Sequence, residues 1–193
     1  QCFAQCADLI RFDEHGICDL GFDTGGNAGG ICDEKIVPDE KCAFTELFGD
    51  SENVRIFSVP GRTEVSGNHT DHNHGKVLAA SITLDIISVA AKNEAGVIAV
   101  KSEGFPEDVV CLCDVEKVRE NEQYKACAII RGMCDGFKKN GLNIGGYYAY
   151  TTSSVLKGSG LSSSAAFEDM IGTIENHLYN EGKIDKVELA KIG

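Results

Sequence analysis

The stretch YYAYTTSSVLKGSGLSSSAAFEDMIGTIENHLYN, residues 147–180, decides the fold, because three local patterns follow one another in it. The run YYAYTTSSV predicts a strand, residues 158–164 form a glycine- and serine-rich loop, and a helical pattern continues to about Asn180. Apolar side chains recur every four residues in the helical part, which predicts one face buried in the core. They are Ala166, Met170, Ile174 and Leu178, with Ile171 beside them.

The segments around this stretch predict a mixture of strands and helices. Residues 39–48 read as a short helix, and NVRIFSVPG reads as a strand that Pro60 stops. The runs LDIISVAAK, GVIAVKSEG and DVVCLCDV are rich in β-favouring residues, whereas residues 121–139 show helical spacing and end at Asn140-Gly141. Four strands, a helix, a strand, a loop and a helix without a repeated unit indicate an α+β fold with a mixed sheet and packed helices.

Composition and charge narrow the class of protein. The chain has 193 residues and 42% hydrophobic residues, which suits one globular core. Its net charge of -12 disfavours nucleic acid and anionic membranes as partners. No apolar stretch is long enough to span a bilayer, and the first fifteen residues do not resemble a secretory signal, so we expect a cytoplasmic protein.

The sequence divides the chain into two parts. Residues 1–38 form a glycine-rich segment that reads as loop, and residues 39–193 form one lobe. The final KVELAKIG looks like the opening of another helix, which indicates a lobe cut short. Nine cysteines without paired zinc spacing are interpreted as reduced thiols rather than metal ligands.

The loop of residues 157–168, KGSGLSSSAAFE, has an anion-binding layout. Glycines allow the backbone to approach a ligand closely, and the first turn of the following helix presents free N–H groups at the positive end of its dipole. An ordinary loop with serine caps is the alternative. The string GSGLSSSAA resembles the phosphate-binding signature of GHMP kinases. That resemblance implies ATP binding through Gly158, Ser159, Gly160, Leu161, Ser162, Ser163 and Ser164, with the Ser164 hydroxyl helping to bind Mg2+.

A second polar stretch, PGRTEVSGNHTDHNHGKVL, covers residues 60–78 directly after a predicted strand. Sugar recognition requires carboxylate, imidazole and amide groups that converge on hydroxyls, and this stretch supplies all three. A solvated polar loop is one alternative. A transition-metal site that uses His69, His72 and His74 is another.

This stretch resembles the signature of galactokinases, which are GHMP kinases, and it precedes the phosphate loop as in that family. The resemblance implies that Arg62 stabilises the transition state and that galactose is the substrate. It places the sugar against Arg62, Asn68, His69, Thr70 and Asp71, and it places Ser102 near the nucleotide. Asn68, Glu64 and His72 replace the usual glutamate, asparagine and tyrosine, so a related sugar remains an alternative substrate.

The resemblance also implies what lies outside this chain. In galactokinases the catalytic base and an acidic magnesium ligand follow the phosphate loop at a distance that this chain would reach only after Gly193. We therefore expect the chain to be the amino-terminal part of a galactokinase, with little activity alone. The alternatives are a kinase for the anomeric hydroxyl of N-acetylgalactosamine or arabinose, and a non-catalytic sensor of sugar and ATP that regulates transcription.

Overall fold

Six strands and four helices make up the part of the chain that the computed structural model describes, namely residues 17–18, 37–49, 51, 53–67, 76, 78–155 and 160–193. In chain order they are β1 (Ile17–Cys18), α1 (Val37–Phe48), β2 (Arg55–Ser66), β3 (Leu78–Lys92), β4 (Val97–Ser102), β5 (Glu107–Cys111), α2 (Ala126–Lys139), β6 (Tyr147–Ser153), α3 (Ser163–Tyr179) and α4 (Lys186–Ile192). Two short 3-10 turns, Leu112–Asp114 and Glu120–Glu122, lie between β5 and α2.

The strands form one sheet in the order β1-β2-β3-β6-β4-β5. β4 and β6 run parallel, and every other neighbouring pair is antiparallel. The connection from β4 to β6 passes through β5 and α2, which gives the chain the length that a parallel pairing requires. The predicted α+β fold with a mixed sheet is therefore confirmed.

Helices cover both faces of the sheet. Alternate side chains of β2 accordingly pack into two different core clusters, one on each face. Phe57 and Val59 face the larger core cluster, which includes residues of α2, α3 and α4. Ile56 faces the smaller cluster, in which Phe44 of α1 packs against β3. Successive side chains of a strand point to opposite faces, so a strand with apolar residues at consecutive positions is buried on both sides.

The apolar face predicted for α3 is confirmed. All five of its residues are buried: Ala166, Met170, Ile171, Ile174 and Leu178. Their four-residue spacing keeps them on one side of the helix, where they contribute to the larger core cluster. The other predicted helices are also present, including the final one at Lys186–Ile192, where the Asp185 side chain accepts hydrogen bonds from two backbone N–H groups.

Several predicted boundaries are wrong. β3 begins at Leu78 rather than Leu84, and β5 ends at Cys111 rather than Val115. β2 does not stop at Pro60 but continues to Ser66, because the pairing with β3 shifts register between Pro60 and Arg62 and so tolerates a residue without an N–H. The helix predicted from residue 121 begins only at Ala126. Tyr124 has a φ of 63°, which a continuing helix does not accommodate.

The cysteine interpretation also needs correction at one place. Cys111 and Cys113 form a disulfide, whereas Cys42, Cys127 and Cys134 are free thiols as expected. The glycine-rich residues 21–30 lie outside the described residues, so their prediction as loop stays a prediction. Among the described residues, no helix is both long enough and apolar enough to cross a membrane.

Candidate functional site

The two polar stretches identified in the sequence meet where β2 contacts the loop that precedes α3. The backbone N–H of Arg62 donates a hydrogen bond to the carbonyl of Leu161 over 3.3 Å. The Arg62 side chain donates a second one, from Nε to the Ser162 hydroxyl over 3.2 Å. Arg62, which belongs to the polar stretch of residues 60–78, thus contacts two consecutive residues of the glycine- and serine-rich loop, about a hundred positions away in sequence.

Gly61 permits this approach. A Cβ atom placed on Gly61 would lie 3.0 Å and 3.1 Å from the two γ-carbons of Val155 and 3.1 Å from Ile82. Val155 follows β6 at the entrance to the loop and is itself buried. Glycine at this position therefore lets β2 pack closely against the start of the loop.

Hydrogen bonds between β3 and the end of β6 fix the entrance to the loop from a second direction. The Ser154 N–H and hydroxyl both donate to the Asp85 carbonyl at 3.0 Å. The Asp85 carboxylate accepts a hydrogen bond of 2.5 Å from the Ser58 hydroxyl of β2. Three neighbouring strands thus hold the point at which the chain leaves the sheet.

The first turn of α3 suits an anionic ligand. Ser162 caps the helix in the left-handed conformation, with φ 55°, and its side chain makes no capping hydrogen bond. Gly160 also has a positive φ of 76°, which favours glycine. Ser163 and Ser164 open a helix of 17 residues, so their N–H groups lie at the positive end of a long helix dipole. Phosphate oxygens are natural acceptors for such groups.

Two acidic side chains, Glu64 and Asp169, interact with Arg62. A Glu64 carboxylate oxygen lies 3.8 Å from Nη2 of Arg62, whose side chain is half exposed. Asp169 lies two helical turns beyond Ser162. Desolvation raises the pKa of its carboxyl, and the Arg62 guanidinium offsets only part of that rise. Desolvation and the neighbouring Asp169 also raise the pKa of Glu168. The carboxylates of Glu64 and Asp169 therefore offset part of the positive charge at Arg62.

Ser102 lies at the end of β4, beside Thr151 of β6 in the parallel register. Its hydroxyl accepts a hydrogen bond of 2.9 Å from the Thr151 hydroxyl. Because β6 continues towards the phosphate loop, Ser102 is at the same end of the sheet as that loop. β3 and β6 separate β4 from β2, however, so the structure does not bring Ser102 next to Arg62.

The structure describes some of the predicted site residues and not others. Gly160, Leu161, Ser162, Ser163 and Ser164 are described, as are Arg62 and Ser102. Asn68, His69, Thr70, Asp71, Gly158 and Ser159 lie outside the described residues. Sequence reasoning missed Asp169 as a neighbour of Arg62. Its separation of seven residues from Ser162, which corresponds to two helical turns, is the signal that could have placed it on the same face.

Comparisons with known proteins show first a similar fold and then a more specific similarity to galactokinases. The mevalonate kinase of Methanococcus jannaschii has a similar structure, with a TM-score of 0.59 at 15% identity over 74% of this chain and 45% of that one. At that identity the likeness shows a shared fold and nothing about activity.

The resemblance to galactokinases is more specific. Residues 42–92 match the family described as the galactokinase galactose-binding signature. The galactokinase of Lactococcus lactis strain IL1403 is 33% identical over 78% of this chain and 38% of its own length, and that of Ligilactobacillus salivarius is 32% identical over 83% and 41%. The crystal structure of Lactococcus lactis galactokinase complexed with galactose matches with a TM-score of 0.73 at 30% identity, over 81% of this chain and 40% of that one.

The chain therefore resembles a galactokinase, as its two motifs predict, and it spans about two fifths of the length of the curated relatives that it matches.

Proposed function

We propose that this chain forms the sugar- and ATP-binding part of a galactokinase, which transfers the γ-phosphoryl group of ATP to the anomeric hydroxyl of galactose and yields galactose 1-phosphate. The observation that carries the proposal is the pair of hydrogen bonds from Arg62 to Leu161 and Ser162. These hydrogen bonds connect β2, where the polar stretch of residues 60–78 begins, to the glycine- and serine-rich loop that precedes α3. A phosphoryl transfer requires this proximity, because the two substrates must meet in line.

The residues of the loop have distinct roles in this proposal. The backbone N–H groups at the start of α3 bind the phosphates, together with Gly158, Ser159 and Gly160 of the preceding loop. The exposed Ser164 hydroxyl lies in the first turn of α3, where an oxygen ligand for Mg2+ is available beside those phosphates. Magnesium, when bound, neutralises part of the phosphate charge.

Arg62 positions the loop and stabilises developing charge. Its Nε is engaged by Ser162, which fixes the plane of the guanidinium, and its half-exposed terminal nitrogens remain available to a phosphate oxygen. Glu64 contacts only one of those nitrogens, at 3.8 Å. The proposed sugar ligands Asn68, His69, Thr70 and Asp71 follow Arg62 within nine residues. In this proposal both the sugar and the transferred phosphoryl group bind next to Arg62.

Binding to this chain tests the proposal. Calorimetric titration with galactose, N-acetylgalactosamine and arabinose, each with and without Mg2+ and a non-hydrolysable ATP analogue, should show galactose as the tightest sugar. Arg62→Ala should weaken nucleotide binding, whereas Arg119→Ala, an exposed arginine of the 112–122 region, should not. Failure to bind both galactose and nucleotide would contradict the proposal.

Measurement of catalytic turnover distinguishes the proposed kinase from the two alternative functions. Binding of galactose and ATP without release of ADP, in a chain extended to the length of the curated relatives, would support the sensor alternative. Stronger binding of another sugar would support a related sugar kinase. The cytoplasmic location expected from the sequence stays a prediction.

A further inference from the structure

Cys111 and Cys113 lie away from the proposed site. They mark the end of β5, the edge strand on the opposite side of the sheet from β1 and β2. Their Cα atoms are 5.4 Å apart and their sulfur atoms are bonded. This Cα separation is within the ordinary range for a disulfide. The sequence between them is a single residue, Leu112.

A stabilising role does not account for this disulfide. The entropy that a cross-link removes from the unfolded chain grows with the length of the loop it closes, and this loop is among the shortest possible. Pairing with β4 already fixes Cys111, since Cys111 is opposite Val97 in the antiparallel register. Cys113 is exposed and lies beyond the strand, in the 3-10 turn. An exposed sulfur is open to attack from solvent.

The two sulfurs are chemically unequal. The backbone N–H of Cys113 donates a hydrogen bond to Sγ of Cys111 over 3.3 Å, and Cys111 thereby caps the 3-10 turn. A donor directed at a sulfur favours the thiolate that forms when the disulfide opens. Cys111 is half-buried and holds this bond, whereas Cys113 is the accessible partner. The geometry therefore favours attack at Cys113 with Cys111 as the leaving group.

We propose that Cys111 and Cys113 form a redox-active pair that exchanges with a low-molecular-weight thiol and its disulfide, such as the two forms of glutathione. In the reducing direction a thiolate attacks Sγ of Cys113, the Cys111–Cys113 bond breaks, and Cys111 leaves as a thiolate that takes a proton from water. A second thiolate attacks the outer sulfur of the mixed disulfide and releases Cys113. The pair gains two electrons, and two thiols become one disulfide. The reverse sequence oxidises the pair.

A metal site is the competing interpretation of the same atoms. Ligand atoms of Cys111, Cys113 and Asp114 lie within 4.8 Å of one another. Both carboxylate oxygens of Asp114 are already engaged, however, one by Arg131 at 3.1 Å and the other by Arg119 at 2.5 Å. A cation would have to compete with two guanidinium groups. The disulfide needs no such displacement, so exchange is the proposal and metal binding is an outcome of the test.

Differential alkylation in glutathione buffers tests the proposal on the folded chain. Trypsin releases residues 102–117 as a peptide whose only cysteines are Cys111 and Cys113. Both cysteines should change label together, from largely reduced to largely oxidised, over a roughly hundredfold range of the two-electron glutathione ratio. Cys127 and Cys42 lie on separate tryptic peptides and serve as controls. The Cys127 thiol, whose pKa burial and Asp108 raise to about 11, should stay unmodified.

Two variants test the assigned order of events. Cys111→Ser should trap a stable glutathione adduct on Cys113, because no second thiol remains to displace it. Cys113→Ser should give a several-fold smaller yield of adduct on the half-buried Cys111. The proposal is overturned if the peptide stays fully oxidised or fully reduced in every buffer, or if the exposed Cys42 reacts along the same curve. Protection from alkylation by added Zn2+ alone, with no response to glutathione disulfide, would overturn it in favour of a metal site.

Discussion

A buried glutamate should make the stability of this lobe depend on pH between about 5 and 8. Glu175 lies on α3 and is completely buried. Its carboxylate accepts a hydrogen bond from the Gly145 N–H over 3.2 Å, and the Cys134 thiol lies 3.9 Å away on α2. The fully buried Tyr147 is another neighbour, and burial raises its pKa well above the ordinary value. Nothing among these contacts supplies a positive partner at hydrogen-bond distance.

The magnitude follows from the pKa. Burial raises the pKa of Glu175 from its ordinary value of 4.5 to about 8, although the Gly145 N–H lowers it in part. Between those two values the folded protein keeps a proton that the unfolded chain has released. The free energy of unfolding therefore falls as the pH rises across this window, by roughly 1.4 kcal/mol per pH unit and about 4 to 5 kcal/mol in total.

Replacement of Glu175 by glutamine removes the titration but keeps an oxygen that can accept from Gly145. Urea unfolding at a series of pH values, followed by circular dichroism, measures the effect. We expect the free energies of unfolding of the two proteins to differ least near pH 4.5. As the pH rises to 8, the stability of the variant should increase relative to that of the native chain. Glu46→Gln, a change at an exposed position of α1, is the control and should follow the native curve. Parallel curves for the native chain and Glu175→Gln would show that Glu175 does not titrate between these pH values.

The remaining predictions concern the site and the ion pairs beside it. If the proposed kinase function holds, Arg62→Ala should lower the turnover of galactose phosphorylation by about a hundredfold or more, as loss of one preorganised donor does. The same change should cost under about 1 kcal/mol of stability because the side chain is half exposed; steady-state kinetics and urea unfolding measure the two effects. Arg131→Met should cost about 3 kcal/mol of stability, because the buried Glu122 carboxylate loses the two hydrogen bonds of 2.8 and 2.9 Å that it accepts from Arg131. Thermal unfolding measures this loss. Gly61→Ala should cost about 1 to 3 kcal/mol of stability and weaken nucleotide binding, because the added Cβ would press on the entrance to the loop. Gly132→Ala in α2 is the control: the added Cβ meets open space there, so the change should be neutral or stabilising.

Sequence patterns predict local features of this lobe well. The four-residue recurrence from Ala166 to Leu178 defines the buried face of α3, because the helix period alone determines which side chains share a side. The glycine and serine loop is likewise visible in the sequence, and the two positive φ values at Gly160 and Ser162 lie within it. Such features depend on residues that are close together in the chain.

Features that depend on distant partners escape the same reasoning. Pro60 suggests the end of a strand, but pairing with β3 carries β2 past it through a register shift. Asp169 is only a polar residue of a helix until β2 brings Arg62 close to it. Glu175 follows Ile174 without any local sign that it is buried. Tertiary packing decides each of these cases, and it joins segments that are far apart in sequence.

The proposed site holds the sugar beside the phosphates of ATP and next to Arg62. Relaxation of carbon-13 galactose bound to this chain, with Mn2+ in place of Mg2+ on a non-hydrolysable ATP analogue, measures that proximity directly. We expect the paramagnetic ion to enhance relaxation most strongly at the anomeric carbon and least at the far side of the ring. Galactose that binds but relaxes equally with the manganese and the magnesium complex would contradict it.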